Sequence, residues 1–97
     1  MKSPDRDEIS SLSQLLEFPC GYQFKAFGPN DAEDTFVLAV REAVSSVVPV
    51  SLDAVRTRLS GRGTYLCVTV IVRLYNVDQV KTIYASLRRI ETLKYLL

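Results

Sequence analysis

The chain has 97 residues, of which 47% are hydrophobic, and its formal net charge is +1. This length suits one domain, and the apolar content suffices for its core. No apolar run is long enough for a membrane-spanning helix, and the absence of histidine excludes an imidazole base and most zinc sites. Cys20 and Cys67 form no paired motif, so we expect free thiols in a cytoplasmic protein.

The charges are unevenly distributed along the chain. Residues 1–34 contain seven acidic and three basic side chains, whereas residues 35–97 contain four acidic and nine basic ones. A basic surface on the second part is therefore compatible with a nearly neutral protein.

Residues 1–17 are predicted to be an N-terminal leader, and residues 18–97 the folded domain. In the leader, Ile9, Leu12 and Leu16 recur at helical spacing, which predicts a short helix over residues 3–17. Pro19 would end it, because proline disfavours helical geometry at the preceding residue. The polar first residues lack the apolar core of a secretory signal.

A strand and a helix are predicted next. Residues 21–27 alternate, with Tyr22, Phe24 and Ala26 on one face, which is typical of a strand. After a break, Asn30 is the expected N-cap, with Glu33 at the reciprocal position. The apolar residues that follow have helical spacing and predict an amphipathic helix ending before Pro49: Phe36, Val40, Ala43, Val44 and Val47.

A hairpin is predicted over residues 53–74. The second strand covers residues 53–59, the turn contains Gly61 and Gly63, and the third strand covers residues 64–74. The expected register sets Leu59 opposite Thr64, so that Arg58 lies beside Tyr65 and Arg56 beside Cys67. Five residues of the third strand share the apolar face: Leu66, Val68, Val70, Val72 and Leu74.

A second helix and a closing strand complete the pattern. Asn76 is the expected N-cap, with Gln79 at the reciprocal position. The helix has a predicted buried stripe of Val77, Val80, Ile83, Tyr84, Leu87 and Ile90. Residues 92–97 are predicted as a strand that turns Leu93, Tyr95 and Leu97 inward.

The element order β-α-β-β-α-β predicts an α+β fold, a two-layer α/β sandwich of the ferredoxin-like plait type. Two helices on one face of a four-stranded antiparallel sheet bury these apolar faces most simply. Right-handed crossovers favour the strand order 4-1-3-2.

Three segments carry a family resemblance. They are residues 15–19, which lead into an aromatic strand; residues 61–65, a glycine-rich turn that ends at Tyr65; and residues 77–84, at the start of the last helix. In this order, over residues 15–97, the chain resembles the YbeD-like family of small bacterial proteins. The resemblance implies a plait related in shape to amino-acid-sensing ACT domains, a cytoplasmic location and a regulatory role. It also points to lipoate metabolism, and it implies no catalytic residue.

The open sheet face, on the side without helices, is the expected site of function. It is predicted to present Gln23, Lys25, Phe27, Arg56, Arg58, Tyr65, Cys67, Thr69, Ile71, Arg73, Lys94 and Leu96. A partly solvated sheet would explain this mixture, since Lys and Arg stems cover apolar neighbours. An interface with a protein is the second interpretation, because Arg and Tyr are enriched at interface hot spots.

Two further interpretations stay open. Stacking aromatics and arginines could bind RNA, although residues 62–66 match the aromatic motif of RNA-binding plaits for only two residues. An ACT-like small-molecule site could lie at the turn Gly28-Pro29-Asn30, where the N–H groups of the next helix would face an anion. Cys67 could be a reactive thiol, but a small packing residue is the more ordinary role.

The sequence therefore predicts a non-enzymatic regulatory or adaptor domain that binds another protein and forms a homodimer. The expected contact residues are Phe27, Arg56, Arg58, Tyr65, Ile71 and Arg73. A small-molecule effector is the alternative and RNA the third choice. No catalytic residue, cofactor, metal or membrane contact is predicted.

Overall fold

A computed structural model describes residues 16–97, which form an α+β fold with a four-stranded antiparallel sheet and two α-helices. The elements are β1 (Cys20–Pro29), α1 (Thr35–Ser45), β2 (Val55–Ser60), β3 (Tyr65–Leu74), α2 (Val77–Arg88) and β4 (Tyr95–Leu96). Single 3₁₀ turns cover Leu52–Ala54 and Gly61–Gly63. The predicted leader helix lies outside the described residues, except for Leu16 and Glu17, which have no regular secondary structure.

The sheet has the spatial order β2-β3-β1-β4, which is 4-1-3-2 read from the other edge. Every neighbouring pair is antiparallel. β1 and β3 are the central strands and pair along their whole length, from Cys20 opposite Leu74 to Pro29 opposite Tyr65. β2 and β4 are the edge strands.

The core lies between the helices and one face of the sheet. The predicted alternation of β3 is confirmed, because Leu66, Val68, Val70, Val72 and Leu74 are all buried. From the other elements, the core includes Phe24, Ala26, Phe36, Val40, Val44, Val80, Ile83, Tyr84, Leu87 and Leu96. Since both helices cover this face, no helix among residues 16–97 lies over the opposite face of the sheet.

The beginning of α2 was predicted correctly. The Asn76 side chain accepts a hydrogen bond from the Gln79 N–H at 2.9 Å, as an N-cap should. The Gln79 side chain reaches back one residue further than a capping box requires and accepts from the Tyr75 N–H at 2.8 Å.

The predicted N-cap of α1 is wrong. Asn30 lies five residues before the helix, and Asp34 occupies the cap position in the left-handed region, with φ of 56° and no side-chain cap bond. Asp31 satisfies the free donors instead: its carboxylate accepts from the N–H groups of Glu33 and Thr35 and from the Thr35 hydroxyl. These bonds, the Thr35 hydroxyl first, lower the pKa of Asp31 below its ordinary value.

The predicted β2–β3 register is also wrong, by two residues. Leu59 lies opposite Leu66, and Arg58 lies opposite Cys67 rather than beside Tyr65. The connection has the predicted length of four residues but begins one residue later, because Ser60 still pairs with Tyr65 and the turn is made by Gly61, Arg62 and Gly63, which all have positive φ. A shift of two residues keeps every side chain on its predicted face, because the strand period is two.

The closing strand is out of phase with its prediction. Leu96 is buried at 1% exposure, whereas Tyr95 is 43% exposed and lies on the open side. The Lys94 N–H donates to the Phe27 carbonyl and Leu97 N–H to the Lys25 carbonyl, which sets Tyr95 opposite Phe27. The predicted inward positions of Tyr95 and Leu97 and the outward position of Leu96 are therefore wrong.

Neither α-helix within residues 16–97 combines the length and the apolar character that crossing a membrane requires.

Candidate functional site

The candidate site is the face of the sheet opposite the helices, called the open face below. Its strand residues are Gln23, Lys25 and Phe27 of β1, Arg56 and Arg58 of β2, Tyr65, Cys67, Thr69, Ile71 and Arg73 of β3, and Tyr95 of β4. Alternation along each strand turns these side chains away from the core. The predicted face is thus present, except that Tyr95 replaces Leu96.

The register arranges these side chains in rows across the four strands. One row runs Arg58, Cys67, Phe27 and Tyr95. The next row contains Arg56, Thr69, Lys25 and Leu97. Because side chains directly opposite each other are about 4.5–5.5 Å apart at Cβ, each cation in these rows flanks a small or apolar side chain of β3.

Within residues 16–97, the cations of the open face have no ion-paired carboxylate. Among residues 16–97, no carboxylate lies within 4.0 Å of the charged nitrogens of Lys25, Arg56, Arg58 or Arg73. The described acids lie elsewhere, for example in the segment before α1, within α1 and α2, or before β2. The excess of bases noted in residues 35–97 is therefore concentrated partly on this face.

A shallow groove runs along the open face, called the basic groove below. It has a volume of about 540 Å³ and is lined by Gln23, Lys25, Phe27, Arg56, Thr57, Arg58, Leu59, Ser60, Cys67, Thr69, Ile71 and Leu97. Ile71 is 43% exposed, whereas Cys67 is only 9% exposed and packs between its neighbours. The groove thus combines a cationic rim with an apolar floor.

A smaller recess, called the aromatic cleft below, adjoins one end of the basic groove. Phe27, Ser60, Tyr65, Lys94 and Tyr95 line its volume of about 220 Å³. The rings of Phe27 and Tyr95 are stacked, with centroids 4.4 Å apart and an interplanar angle of 18°. Sequence reasoning missed this cleft because the closing strand was placed out of phase.

The turn between β2 and β3 fixes the other wall of the aromatic cleft. A Cβ at Gly61 would lie 2.9 Å from the Tyr65 ring, so the ring packs directly against a residue without a side chain. Asn30 holds this turn against the end of β1, since its N–H donates to the Thr64 carbonyl at 3.4 Å and its amide to the Gly63 carbonyl at 3.1 Å.

The structure brings most of the predicted contact residues together. Phe27, Arg56, Arg58 and Ile71 line the basic groove, and Phe27 and Tyr65 line the aromatic cleft. Arg73 lies opposite Gly21 at the far end of the sheet and lines neither recess.

Cys67 supplies the thiol in the lining of the basic groove. In the part of the chain that the structure describes, no group of three Cys, Asp or Glu side chains could hold a metal ion. The Cys67 sulfur lies 4.0 Å from the Thr69 hydroxyl, which is too weak a base to activate a thiol. What the open face offers is charge, apolar area and aromatic edges.

The turn Gly28-Pro29-Asn30 is poorly suited to hold an anion. The N–H and the amide of Asn30 are bonded to the β2–β3 turn, and the Asp31 carboxylate already binds the N–H groups that precede and begin α1. A second negative charge there would face a carboxylate rather than free donors.

In sequence, the chain matches one family of proteins. Residues 13–97 match the family model described as "Protein of unknown function (DUF493)". UPF0250 proteins are similar over 91% of this chain: one from Shewanella amazonensis is 36% identical with 97% of its length covered, and one from Pasteurella multocida is 32% identical with 97% covered. None of these names indicates a catalytic activity.

A solved structure shares the fold. The solution structure of protein HP0495 from H. pylori has a TM-score of 0.66 with this chain, at 11% sequence identity, and the match covers 84% of this chain and 85% of that one. The matches in sequence show that the chain belongs to the DUF493 (UPF0250) family of small bacterial proteins.

Proposed function

We propose that this domain is a non-enzymatic regulatory or adaptor module that binds an acidic surface of another protein through the open face. The observation that carries the proposal is the composition of the open face. It combines four cations, none with a carboxylate neighbour among residues 16–97, with exposed apolar side chains. The partner's acids would supply the missing charge, and its apolar groups would cover Phe27, Tyr65 and Ile71.

The physical chemistry of interfaces supports this use of the face. Arg and Tyr are over-represented among the residues that dominate binding energy, because they combine apolar area with directed hydrogen bonds. Complementary charge accelerates encounter and sets orientation. Arg56, Arg58, Tyr65, Phe27 and Ile71 supply both properties, and Arg73 extends the positive charge toward the far end of the sheet.

The family and the fold support a regulatory role by analogy. The element order with the sheet order β2-β3-β1-β4 supports assignment to the ferredoxin-like plait, and the resemblance to YbeD-like proteins suggests an ACT-like module. We place the domain in the cytoplasm, where the free thiols of Cys20 and Cys67 would stay reduced. A homodimer also belongs to the proposal, since symmetric dimers are the commonest oligomers, and it would pair edge strands rather than two copies of the cationic open face.

A small-molecule effector, including a lipoyl compound, is the second candidate. The basic groove is its best site, because a single anion could bridge Arg56 and Lys25. A thermal-shift screen of amino acids and lipoyl compounds tests it: stabilisation by one of them would support a sensor, and no shift with any would exclude these effectors.

The test of protein binding is affinity capture from a lysate of the source bacterium, comparing three forms of the full chain. The wild type is set against Tyr65→Glu, Arg58→Glu on the open face and against Leu38→Glu, Arg89→Glu on the helical side, where both side chains are exposed. The two double variants change the net charge equally. Light scattering of each form reports the oligomeric state.

We expect a partner that the wild type and the helical-side variant retain and that the open-face variant loses. The purified partner should then bind the open-face variant at least about tenfold more weakly, as the loss of a hot-spot pair predicts. Identical proteins captured by all three forms would remove the open face from the proposal.

A further inference from the structure

We propose that the open face recognises an extended acidic segment that carries one large apolar side chain: the apolar group enters the aromatic cleft, and the acids follow along the basic groove. This inference rests on the proposed function and specifies the partner's chemistry. The two recesses adjoin, because Phe27 and Ser60 line both of them.

The aromatic cleft has the size and the lining of an anchor pocket. Its volume of about 220 Å³ lies below the range of roughly 300–1,000 Å³ in which drug-sized ligands bind, but suits a single side chain. Its walls are the stacked Phe27–Tyr95 pair and the Tyr65 ring held against Gly61. An apolar side chain inserted there would cover aromatic surface that is now about two-fifths exposed at Tyr65 (39%) and Tyr95 (43%).

The cations of the basic groove are spaced for an extended segment. Arg56 and Arg58 are two residues apart on β2, so their side chains leave the sheet about 6.5–7 Å apart. Alternate side chains of another extended chain repeat at the same distance. Two acids at alternate positions of the segment can therefore meet the two guanidinium groups, whose planar donors bind carboxylates in a bidentate way.

The arrangement also gives the segment an order. The row with Arg58 also contains the cleft residues Phe27 and Tyr95, and Ser60 and Tyr65 lie one row beyond it, whereas the row with Arg56 and Lys25 lies on the side of the Arg58 row away from the cleft. An acid nearest the apolar anchor would thus meet Arg58, and an acid two residues further along would meet Arg56 and Lys25.

Single-stranded nucleic acid fits these observations less well. The net charge of +1 is far from the strongly basic character of most nucleic-acid-binding domains. We therefore commit to a peptide segment and make the nucleic acid an outcome of the test.

The test is selection of random linear peptides, displayed on phage, against the purified full chain. We expect the enriched peptides to share one aromatic or large aliphatic residue with acids on one side of it. Synthetic peptides of the enriched sequence should bind more weakly as salt is raised. Binding should fall about tenfold or more with Arg56→Glu, Arg58→Glu and with Tyr95→Ala, but stay unchanged with Leu38→Glu, Arg89→Glu.

Several results would overturn the inference: no enrichment, enrichment without acids, acidic peptides insensitive to Tyr95→Ala and to the arginine substitutions, or tighter binding of oligouridine than of any peptide. Far-ultraviolet circular dichroism of each variant separates lost binding from lost folding. If the captured partner still depends on Tyr65 and Arg58 while no acidic peptide is enriched, the proposed function survives and this inference fails. If the captured partner is also insensitive, both fail.

Discussion

The two faces of the sheet differ in composition and in exposure, although the same strands form both. Val70 and Ile71 are neighbours on β3, yet Val70 is fully buried under the helices and Ile71 is 43% exposed on the open face. The helical side contains only apolar residues and tyrosines in its core, whereas the open face mixes cations with apolar groups. We infer that stability depends on one face and recognition on the other, so substitutions should separate the two properties.

The largest expected difference in stability is between alanine substitutions of two phenylalanines of β1. Phe24 is fully buried and its ring centroid lies 5.0 Å from that of Tyr84, whereas Phe27 stacks on Tyr95 on the open face. Phe24→Ala should lower the free energy of unfolding by about 3–5 kcal/mol, and Phe27→Ala by roughly the 0.5–1.5 kcal/mol of an aromatic pair. Urea denaturation measures both free energies of unfolding, and equal losses would contradict the division between a stabilising face and an open face.

Two glycines of β1 lie on opposite faces of the sheet, so adding a Cβ atom to each tests the packing of one face. A Cβ at Gly28 would lie 2.4 Å from the Phe36 ring on the helical side, whereas a Cβ at Gly21 would meet nothing within 4 Å. Gly28→Ala should therefore cost about 1–3 kcal/mol of overpacking, and Gly21→Ala less than about 0.5 kcal/mol. Thermal denaturation compares the pair, and a tolerated alanine at Gly28 would show that α1 packs less closely than described.

The buried hydroxyl of Tyr84 should make the stability of the helical side depend on pH. Its hydroxyl lies 3.1 Å from that of Tyr22 and donates to the Leu97 carbonyl at 3.4 Å. Burial, then the hydrogen bond with Tyr22, raises the pKa of Tyr84 above its ordinary value. The raised pKa belongs to the folded state, so the hydroxyl's contribution is complete below the unfolded pKa of about 10 and is lost as pH rises above it.

Tyr84→Phe should therefore cost about 0.5–1.5 kcal/mol at neutral pH, and its deficit relative to the wild type should shrink above pH of about 10. Denaturation at a series of pH values measures the deficit. Tyr95→Phe on the open face serves as the control, because its ring lies outside the core. A deficit that grows with alkaline pH would contradict the assigned role of Tyr84.

The smallest expected effect is on the open face. Arg56→Glu, Arg58→Glu should change the free energy of unfolding by no more than about 0.5 kcal/mol, because both side chains are exposed and neither has a carboxylate neighbour among residues 16–97. The same variant should lose partner binding. A loss above about 2 kcal/mol would mean that these arginines are structural.

The features that are best predicted from the sequence are those that depend only on the local geometry of the chain. The period of two along β3 places Val68 and Val70 under the helices and Ile71 outside, whichever register the strand adopts. The cap of α2 was predictable for the same reason, since Asn76 and Gln79 interact within one helical turn.

Other features depend on three-dimensional partners and could not be predicted. Asn30 and Asp31 are both good caps, and only the contact of Asn30 with the β2–β3 turn decides that Asp31 fulfils the role. Residues 93–97 place leucines in both phases of a strand, Leu93 and Leu97 in one and Leu96 in the other, so the bond from the Lys94 N–H to the Phe27 carbonyl sets the phase. The aromatic cleft depends on that phase, although the polar tip of Tyr95 was a clue to its exposed position.

The most direct test of the open face as the binding surface is an amide chemical-shift titration of the isotope-labelled full chain with the purified partner from the affinity capture. We expect the largest chemical-shift changes at Phe27, Arg58, Tyr65 and Ile71, with small changes along α1 and α2. Changes confined to the two helices, with the open face unaffected, would contradict this expectation.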